Sequence, residues 1–124
     1  VVRLISKDQV DNVLQTPTGE VIYELIGRAE ETGGTAGHSL AHVTLPPGKS
    51  SEAHYHRESE ETYYVLQGRG WMEIDGDEFP LEPGQALLIE PGEVHKISNH
   101  GESDLEFLAV CSPPWVAEDS FSVA

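Results

Sequence analysis

Short stretches of alternating apolar and polar residues recur along most of the chain, and glycine or proline ends nearly every one. Residues two apart on a strand point to the same side, so this alternation is typical of strands with one buried face. Regular short strands separated by turn residues predict an all-β sandwich or barrel. The predicted strands cover residues 20–26, 38–45, 51–56, 61–67, 70–75, 77–82, 85–90, 94–99 and 105–111.

The clearest turn signal is "IDGDEF", where Asp75 and Gly76 separate two of these strands. An Asp-Gly pair suits a two-residue hairpin turn, because both central residues of that turn need positive φ. We therefore predict a tight hairpin here.

The first residues have a different pattern, with the spacing of a helix. In "SKDQVDNVLQ", Ser6 can cap the helix and Gln9 lies three residues later, as in a capping box. Val10, Val13 and Leu14 would then share one helical face. The sequence predicts a short helix in this segment.

The length of 124 residues suits a single domain with one core. We divide it into an N-terminal helical or extended segment (1–20), a β-barrel (21–112) and a C-terminal arm (113–124). The arm is predicted because "CSPPWVAEDSFSVA" is broken by prolines. It would lie over the barrel surface or on a partner subunit.

The chain is strongly acidic, with 22 Asp and Glu against 7 Lys and Arg and a formal charge of −15. Such a surface repels phosphate backbones, which argues against a nucleic-acid partner. No apolar run reaches the length of a membrane span. A single cysteine, Cys111, excludes an intrachain disulfide, and the N-terminus is too polar for a secretory signal. We therefore expect a cytoplasmic protein.

Histidines and glutamates are concentrated in "GKSSEAHYHRESEETYYVLQG", residues 48–68. His54 and His56 would share one face of a strand. Glu61 alternates with apolar residues of the next strand, as His95 does later in the chain, so both would point into the core. An ionised carboxylate buried without a partner costs several kcal/mol, and a bound divalent cation removes that cost. The alternative is a solvated, charged loop that happens to contain histidines.

Three glutamates of this segment compete for the inward position. Glu61 would share a face with Tyr63, whereas Glu60 would turn the other face of the strand inward. Glu58 and Glu60 are then solvated loop charges. Three imidazoles and one carboxylate suit Fe, Mn, Co, Ni, Cu or Zn, while Mg and Ca prefer all-oxygen sites.

The spacing of these residues resembles the cupin superfamily. The first cupin motif, G-x5-H-x-H-x3–4-E-x6-G, is matched from Gly48 to Gly68 with four residues before Glu61. The second, G-x5-P-x-G-x2-H-x3-N, is matched from Gly84 to Asn99, except that Glu90 stands where the family usually has proline. We expect a local rebuilding of the loop there that keeps His95 in place.

The resemblance implies a jelly-roll β-barrel, usually dimeric, with a divalent transition metal. The implied ligands are His54, His56, Glu61 and His95. The family includes dioxygenases, oxalate-degrading enzymes, isomerases and sugar-modifying enzymes. We therefore expect a metal-dependent enzyme acting on a small oxygenated metabolite: dioxygenase-like, or a related lyase or isomerase. The alternatives are a binding cupin that holds a sugar or acid without turnover, and a metal store. One deep ion per chain makes a poor store.

Candidates for catalysis beyond metal binding are Glu61, Tyr63 and His42. The resemblance suggests Glu61 as both ligand and base. Tyr63 could supply a phenol or simply pack. His42 could line the pocket as an acid or base, although a lone strand histidine is more often at the surface or hydrogen-bonded. Cys111 is interpreted as a small buried hydrophobe.

Overall fold

The computed structural model describes residues 2–123. In this part of the chain eleven strands form two antiparallel sheets. The strands are β1 (Leu14–Gln15), β2 (Val21–Ile26), β3 (Ser39–Leu45), β4 (His54–His56), β5 (Glu60–Gln67), β6 (Gly70–Ile74), β7 (Asp77–Leu81), β8 (Ala86–Ile89), β9 (His95–Ser98), β10 (Leu105–Ser112) and β11 (Ser120–Ser122). The helical residues form short 3-10 turns: Lys7–Gln9, Glu30–Thr32 and Ala117–Asp119.

One sheet has the order β1-β2-β3-β10-β5-β8 and the other β11-β4-β9-β6-β7. Several neighbouring pairs, such as β3-β10, β10-β5 and β4-β9, are distant in sequence, as in a jelly roll. Alternate residues of the long strands are buried, and they pack between the sheets as one apolar core. Its members include Val43, Leu45, Tyr63, Val65, Met72, Ile97, Leu105 and Phe107. No helix among residues 2–123 has the length and apolarity needed to cross a bilayer.

The predicted all-β architecture is confirmed, and each of the nine predicted strands is present with ends shifted by a few residues. The predicted hairpin is also confirmed. Asp75 and Gly76 have φ of 46° and 91°, and Ile74 pairs directly with Asp77 across the turn. Positive φ at both central residues explains why the chain has Asp-Gly there.

The predicted N-terminal helix is reduced to a single 3-10 turn. The backbone N–H of Ser6 donates to Gln9 Oε1 at 3.3 Å, so the capping interaction forms. Beyond Gln9 the helix prediction is wrong, because Leu14 pairs with Ile22 at the edge of the first sheet. Backbone pairing along that edge satisfies more groups than another helical turn would.

The arm folds back on its own barrel. Ser120–Ser122 forms β11 and pairs antiparallel with β4, the strand that carries two of the predicted metal ligands. Just before β11, the Asp119 carboxylate accepts the backbone N–H groups of Arg57 (3.0 Å), Glu58 (2.9 Å) and Ser59 (3.0 Å). Three donors on one carboxylate hold the arm against the loop between β4 and β5.

Two motif residues have structural roles. Asn99 is fully buried, and its Nδ2 donates to the carbonyls of Leu45 and Ser103, both at 2.8 Å. Gly68 has φ of +81°, and a Cβ there would run into the backbone of Asp104. Only glycine fits this turn without strain. Both residues brace the barrel around the site and contribute no reactive group.

Candidate metal centre

The four predicted ligands come from three strands that meet inside the barrel. His54 and His56 lie on β4, Glu61 on β5 and His95 on β9. His54 pairs in register with His95, so their rings lie 4.2 Å apart between centroids. The His56 ring lies 5.4 Å from that of His54 and 5.6 Å from that of His95.

Glu61 lies at the centre of this group and is 6% exposed. Its Oε1 is 3.3 Å from His95 Nε2 and 3.9 Å from His56 Nδ1. Its Oε2 accepts the S–H of Cys111 at 3.1 Å, from the directly opposite position on β10. The carboxylate thus has one oxygen held by a thiol and the other directed at imidazoles.

Backbone carbonyls orient two of the rings. His54 Nδ1 lies 2.7 Å from the carbonyl of Glu52, and His95 Nδ1 lies 3.0 Å from that of Glu93. A carbonyl can only accept, so each Nδ1 carries the proton when the ring is neutral, and Nε2 presents a lone pair. Partners of this kind orient histidines toward metals in proteins.

Several buried atoms at this point make no hydrogen bond within residues 2–123. They are His56 Nε2, His95 Nε2 and Glu61 Oε1. Buried polar atoms are normally paired, since an unpaired one costs free energy. Donor atoms of His54, Glu61 and His95 lie within 4.8 Å of one another, as do those of His56, Glu61 and Cys111. The cluster is therefore able to hold a metal ion, and its imidazole and carboxylate donors suit a transition metal.

Burial and mutual contact set the protonation of these groups. Burial lowers the pKa of His54 and of His56, which keeps both rings neutral and able to coordinate. Burial alone would lower the pKa of His95, but the adjacent Glu61 carboxylate outweighs it and raises that pKa. Burial opposes ionisation of Glu61, yet His95 and His56 hold its pKa below the ordinary value. The His95–Glu61 pair therefore attracts a proton that a cation would displace.

A cavity of about 450 Å³ opens over the cluster. The floor contains His54, His56 and Glu61, and much of the wall is apolar. Both terminal segments contribute to that wall, through residues 12–18 and through Trp115, Ser120 and Ser122. The apolar lining is Val13, Leu14, Ile22, Ala41, Val43, Phe107, Ala109 and Trp115. A polar floor under an apolar wall is typical of small-molecule sites.

Three more carboxylates line the cavity, and the sequence interpretation missed all of them. They are Glu20, Glu24 and Glu52. Burial, reinforced by repulsion from Glu61, raises the pKa of Glu20 to about 7. Burial likewise raises the pKa of Glu24. Glu20, just before β2, alternates with Ile22 and Glu24 of that strand, and this alternation was the available signal, without a motif to support it.

The other predicted catalytic residues lie in different places. Tyr63 is buried, lines the cavity and packs against Phe107 with 4.6 Å between ring centroids. Burial raises the pKa of its phenol well above the ordinary value, so the phenol stays protonated. His42 is not brought to the site. It points to the opposite face of β3 from the cavity, with Nε2 3.1 Å from Glu106 Oε1.

Cys111 has a more specific place than a small buried hydrophobe. It is 2% exposed and its thiol donates to Glu61, as described above. Burial and the nearby carboxylate raise the pKa of the thiol far above its ordinary value. It therefore acts as a neutral hydrogen-bond donor. Its alternation with Leu105, Phe107 and Ala109 places it on the inner face of β10.

The second motif lacks its usual proline at Glu90, and the turn of residues 90–93 still leads into β9 at His95. The backbone N–H of Glu90 donates to Glu93 Oε1 at 2.7 Å. Gly92 has φ of +86°, and its N–H donates to the carbonyl of His56 at 2.7 Å. The loop before β9 is thus tied to the strand that carries His56. Glu58 and Glu60 are both exposed, as predicted.

Sequence comparison adds an independent result. A family model described as the cupin domain matches residues 41–111, which is more than half of the chain. The chain belongs to the cupin family. This cupin is 37% identical over 105 residues to an uncharacterized protein of Methanocaldococcus jannaschii, covering 85% of this chain and 82% of the relative.

Two further similarities involve proteins of Thermotoga maritima. The cupin is 43% identical over 71 residues to its oxalate-binding protein, covering 57% of this chain and 59% of the relative. The crystal structure of a predicted oxalate decarboxylase superposes with a TM-score of 0.75 at 29% identity, covering 89% of this chain and 98% of that one. The cupin identification, made first from two motifs, is confirmed.

Proposed function

We propose that this cupin is a metal-dependent enzyme that acts on a small oxygenated metabolite, with His54, His56, Glu61 and His95 as the ligands. The observation that supports it is that His56 Nε2, Glu61 Oε1 and His95 Nε2 are buried without hydrogen-bond partners within residues 2–123, and that His56 and Glu61 line a cavity. A structural zinc site would be closed, whereas this cluster faces space for a small molecule.

A divalent transition metal in this position would act as a Lewis acid that polarises a hydroxyl or carbonyl oxygen. The chain itself supplies the other requirements. Much of its cavity wall is apolar, and both terminal segments line the cavity. Glu20, with a pKa raised by burial to about 7, can hold or release a proton near neutral pH. Glu61 is committed to the imidazoles and to Cys111, so Glu20 is the better candidate for proton transfer.

Binding without turnover is the second candidate function. The similarity to a protein named for oxalate binding favours it, because that name describes a bound ligand and no reaction. Both functions use the same cluster and cavity. They differ only in whether a bound metabolite is transformed.

We also propose that this cupin is a homodimer. The outer face of the first sheet carries exposed apolar residues on β5 and on the edge strand β8: Tyr64 is 42% exposed, Leu66 44% and Leu88 54%. Tyr64 and Leu66 lie two residues apart on β5, and Leu88 pairs with Thr62 on the same face. Apolar patches on an exposed face are typical of interaction sites.

Turnover assays distinguish the enzyme from the binding module. Metal-reconstituted protein is incubated with a panel of diketones, flavonols, sugars and small acids, under iron, nickel and manganese in turn. Oxygen uptake and product formation are both followed, so that isomerases and lyases are detected as well. We expect turnover of at least one compound, abolished by His56→Ala. Tight binding without any product would favour the binding module.

A further inference from the structure

The charges around the cavity restrict what it can hold. Four carboxylates line it: Glu20, Glu24, Glu52 and Glu61. None of the lining residues within 2–123 is a lysine or an arginine. Sites that bind phosphate esters or dicarboxylates ordinarily use arginine or lysine to pair with the negative charge. The lining within residues 2–123 therefore gives an anion no lysine or arginine to pair with, and the metal would have to supply the positive charge.

A bound divalent ion does not offset these charges. As a ligand, the Glu61 carboxylate would neutralise one of the ion's two positive charges. When Glu20, Glu24 and Glu52 are ionised, their three negative charges exceed the one positive charge that remains on the ion. Charges in a partly buried site interact more strongly than in water, so a dianion entering this cavity is repelled at short range. The overall charge of −15 adds to that repulsion at long range.

The rest of the lining favours a different kind of molecule. The wall facing the cluster is apolar and includes Leu14, Ile22, Phe107 and Trp115. Hydroxyls of Thr16, Thr18, Ser39, Ser120 and Ser122 are distributed around it. Carboxylates and hydroxyls together accept hydrogen bonds from the O–H groups of a neutral ligand. An uncharged molecule thus meets no electrostatic barrier and gains both apolar contact and hydrogen bonds.

We propose that the substrate class of this cupin is an uncharged hydroxy- or oxo-compound with an apolar part, and that Glu20, Glu24 and Glu52 exclude oxalate-like dianions and phosphate esters. This inference rests on the proposed metal function, because the metal is what an oxygen of the ligand would contact.

Cobalt-loaded protein tests the proposal without any need for turnover. The d–d absorption of bound Co²⁺ changes when a small molecule enters its coordination shell, so it gives a Kd for each probe. The probes are oxalate, inorganic phosphate and uncharged imidazole, at pH 8. The test variant combines Glu20→Gln, Glu24→Gln and Glu52→Gln. The matched control combines Glu90→Gln, Glu102→Gln and Glu118→Gln, which removes the same charge from exposed positions.

We expect the cavity variant to bind oxalate and phosphate at least tenfold more tightly than the wild type, with the Kd of imidazole changed less than threefold. In the control variant, the Kd of each of the three probes should stay close to its wild-type value. Equal oxalate affinity in wild type and cavity variant, or an equal gain in the control, would overturn the proposal. If the triple variant does not fold, Glu52→Gln is tested alone, because Glu52 is exposed and its replacement should leave the fold intact. We expect this variant to show part of the gain in oxalate and phosphate affinity. Absence of any Co²⁺ absorption in the wild type would instead refute the metal centre, and the inference with it.

Discussion

At the scale of single residues, the candidate metal ligands could be named because strand alternation and motif spacing agreed. Glu61 and His95 alternate with core residues, and the rings of His54, His56 and His95 lie within 5.6 Å of one another beside Glu61. That these four residues bind a metal stays a prediction. The carboxylates of the cavity wall could not be found in the same way. Glu20 precedes β2 and belongs to no motif, and its environment is set by residues elsewhere in the fold: its backbone N–H donates to Thr16 Oγ1 at 2.9 Å, and Glu61 repels its carboxylate.

Glu20 gives a prediction about pH and stability in the metal-free protein. Its pKa rises from 4.5 to about 7 on folding, because burial disfavours the ionised form. The folded state therefore binds more protons than the unfolded state between these values, and stability falls as the pH rises through them. Glu20→Gln cannot ionise, so it avoids this loss. We expect it to be more stable than wild type by about 2 kcal/mol at pH 8, and nearly equal at pH 4.

Urea denaturation at the two pH values measures the difference. The exposed Glu102→Gln is the matched control and should leave the free energy of unfolding unchanged at both. A Glu20→Gln variant that is less stable than wild type at pH 8 would show that the ionised carboxylate has a partner in the folded protein.

At the scale of elements, the strands and the Asp75-Gly76 hairpin could be predicted because their signals are local. The two missed strands differ: β1 pairs with the next strand across a local turn where the sequence has helical spacing, whereas β11 depends on a distant partner. Leu14 pairs with Ile22 across a turn, and Phe121 pairs with Tyr55 of β4, with their rings stacked at 5.2 Å. The residues of β11 pair with residues more than sixty positions earlier in the chain. The three letters "SFS" contain no local signal of that pairing, so the strand could not be predicted.

Asp119 holds the arm against the barrel, and replacing this residue should lower the free energy of unfolding. Asp119→Ala leaves three backbone N–H groups of the β4–β5 loop without their acceptor. Hydrogen bonds to a charged group are each worth about 1.5–3 kcal/mol. Water can replace part of this at the loop, so we expect a loss of about 3 kcal/mol in the free energy of unfolding. The neighbouring, exposed Glu118→Ala should cost little.

The pH dependence of this loss has a definite sign. Burial opposes ionisation of Asp119, but the N–H groups of residues 57–59 outweigh it and lower its pKa below 3.8. The stabilisation is therefore present above pH 4 and disappears as the pH falls through the lowered pKa. The difference between wild type and Asp119→Ala, measured by urea denaturation, should be constant from pH 6 to 8 and shrink below pH 4. A difference that persists unchanged at pH 2 would contradict the assignment.

At the scale of the whole molecule, the cupin barrel was predictable because both motifs are complete except at Glu90. The cavity was not predictable, since its wall combines residues 12–18, β2, β3, β10 and the arm. These parts are far apart in sequence and meet only in the folded chain. The fold therefore follows from the sequence, and the four metal ligands stay a prediction made from it, while the cavity depends on tertiary structure.

The proposed homodimer is also a property of the whole molecule. Light scattering after gel filtration should give twice the mass of 13.6 kDa. A charge on the apolar face should separate the subunits, so Leu88→Glu is expected to run as a monomer that remains folded by circular dichroism. Val123→Glu, which charges an exposed apolar residue elsewhere, should remain a dimer. A wild-type protein that is monomeric at all concentrations would refute the proposal.

The most direct test of the metal centre is the metal content of protein purified without an affinity tag. Elemental analysis of the wild type should find about one transition-metal ion per chain, and His42→Ala should match it because His42 lies outside the cavity. His56→Ala should stay folded and lose metal affinity by roughly 100-fold or more, since a lost ligand costs at least as much as a lost outer partner. Wild-type protein that retains no metal after reconstitution, or His56→Ala with unchanged content, would contradict the account.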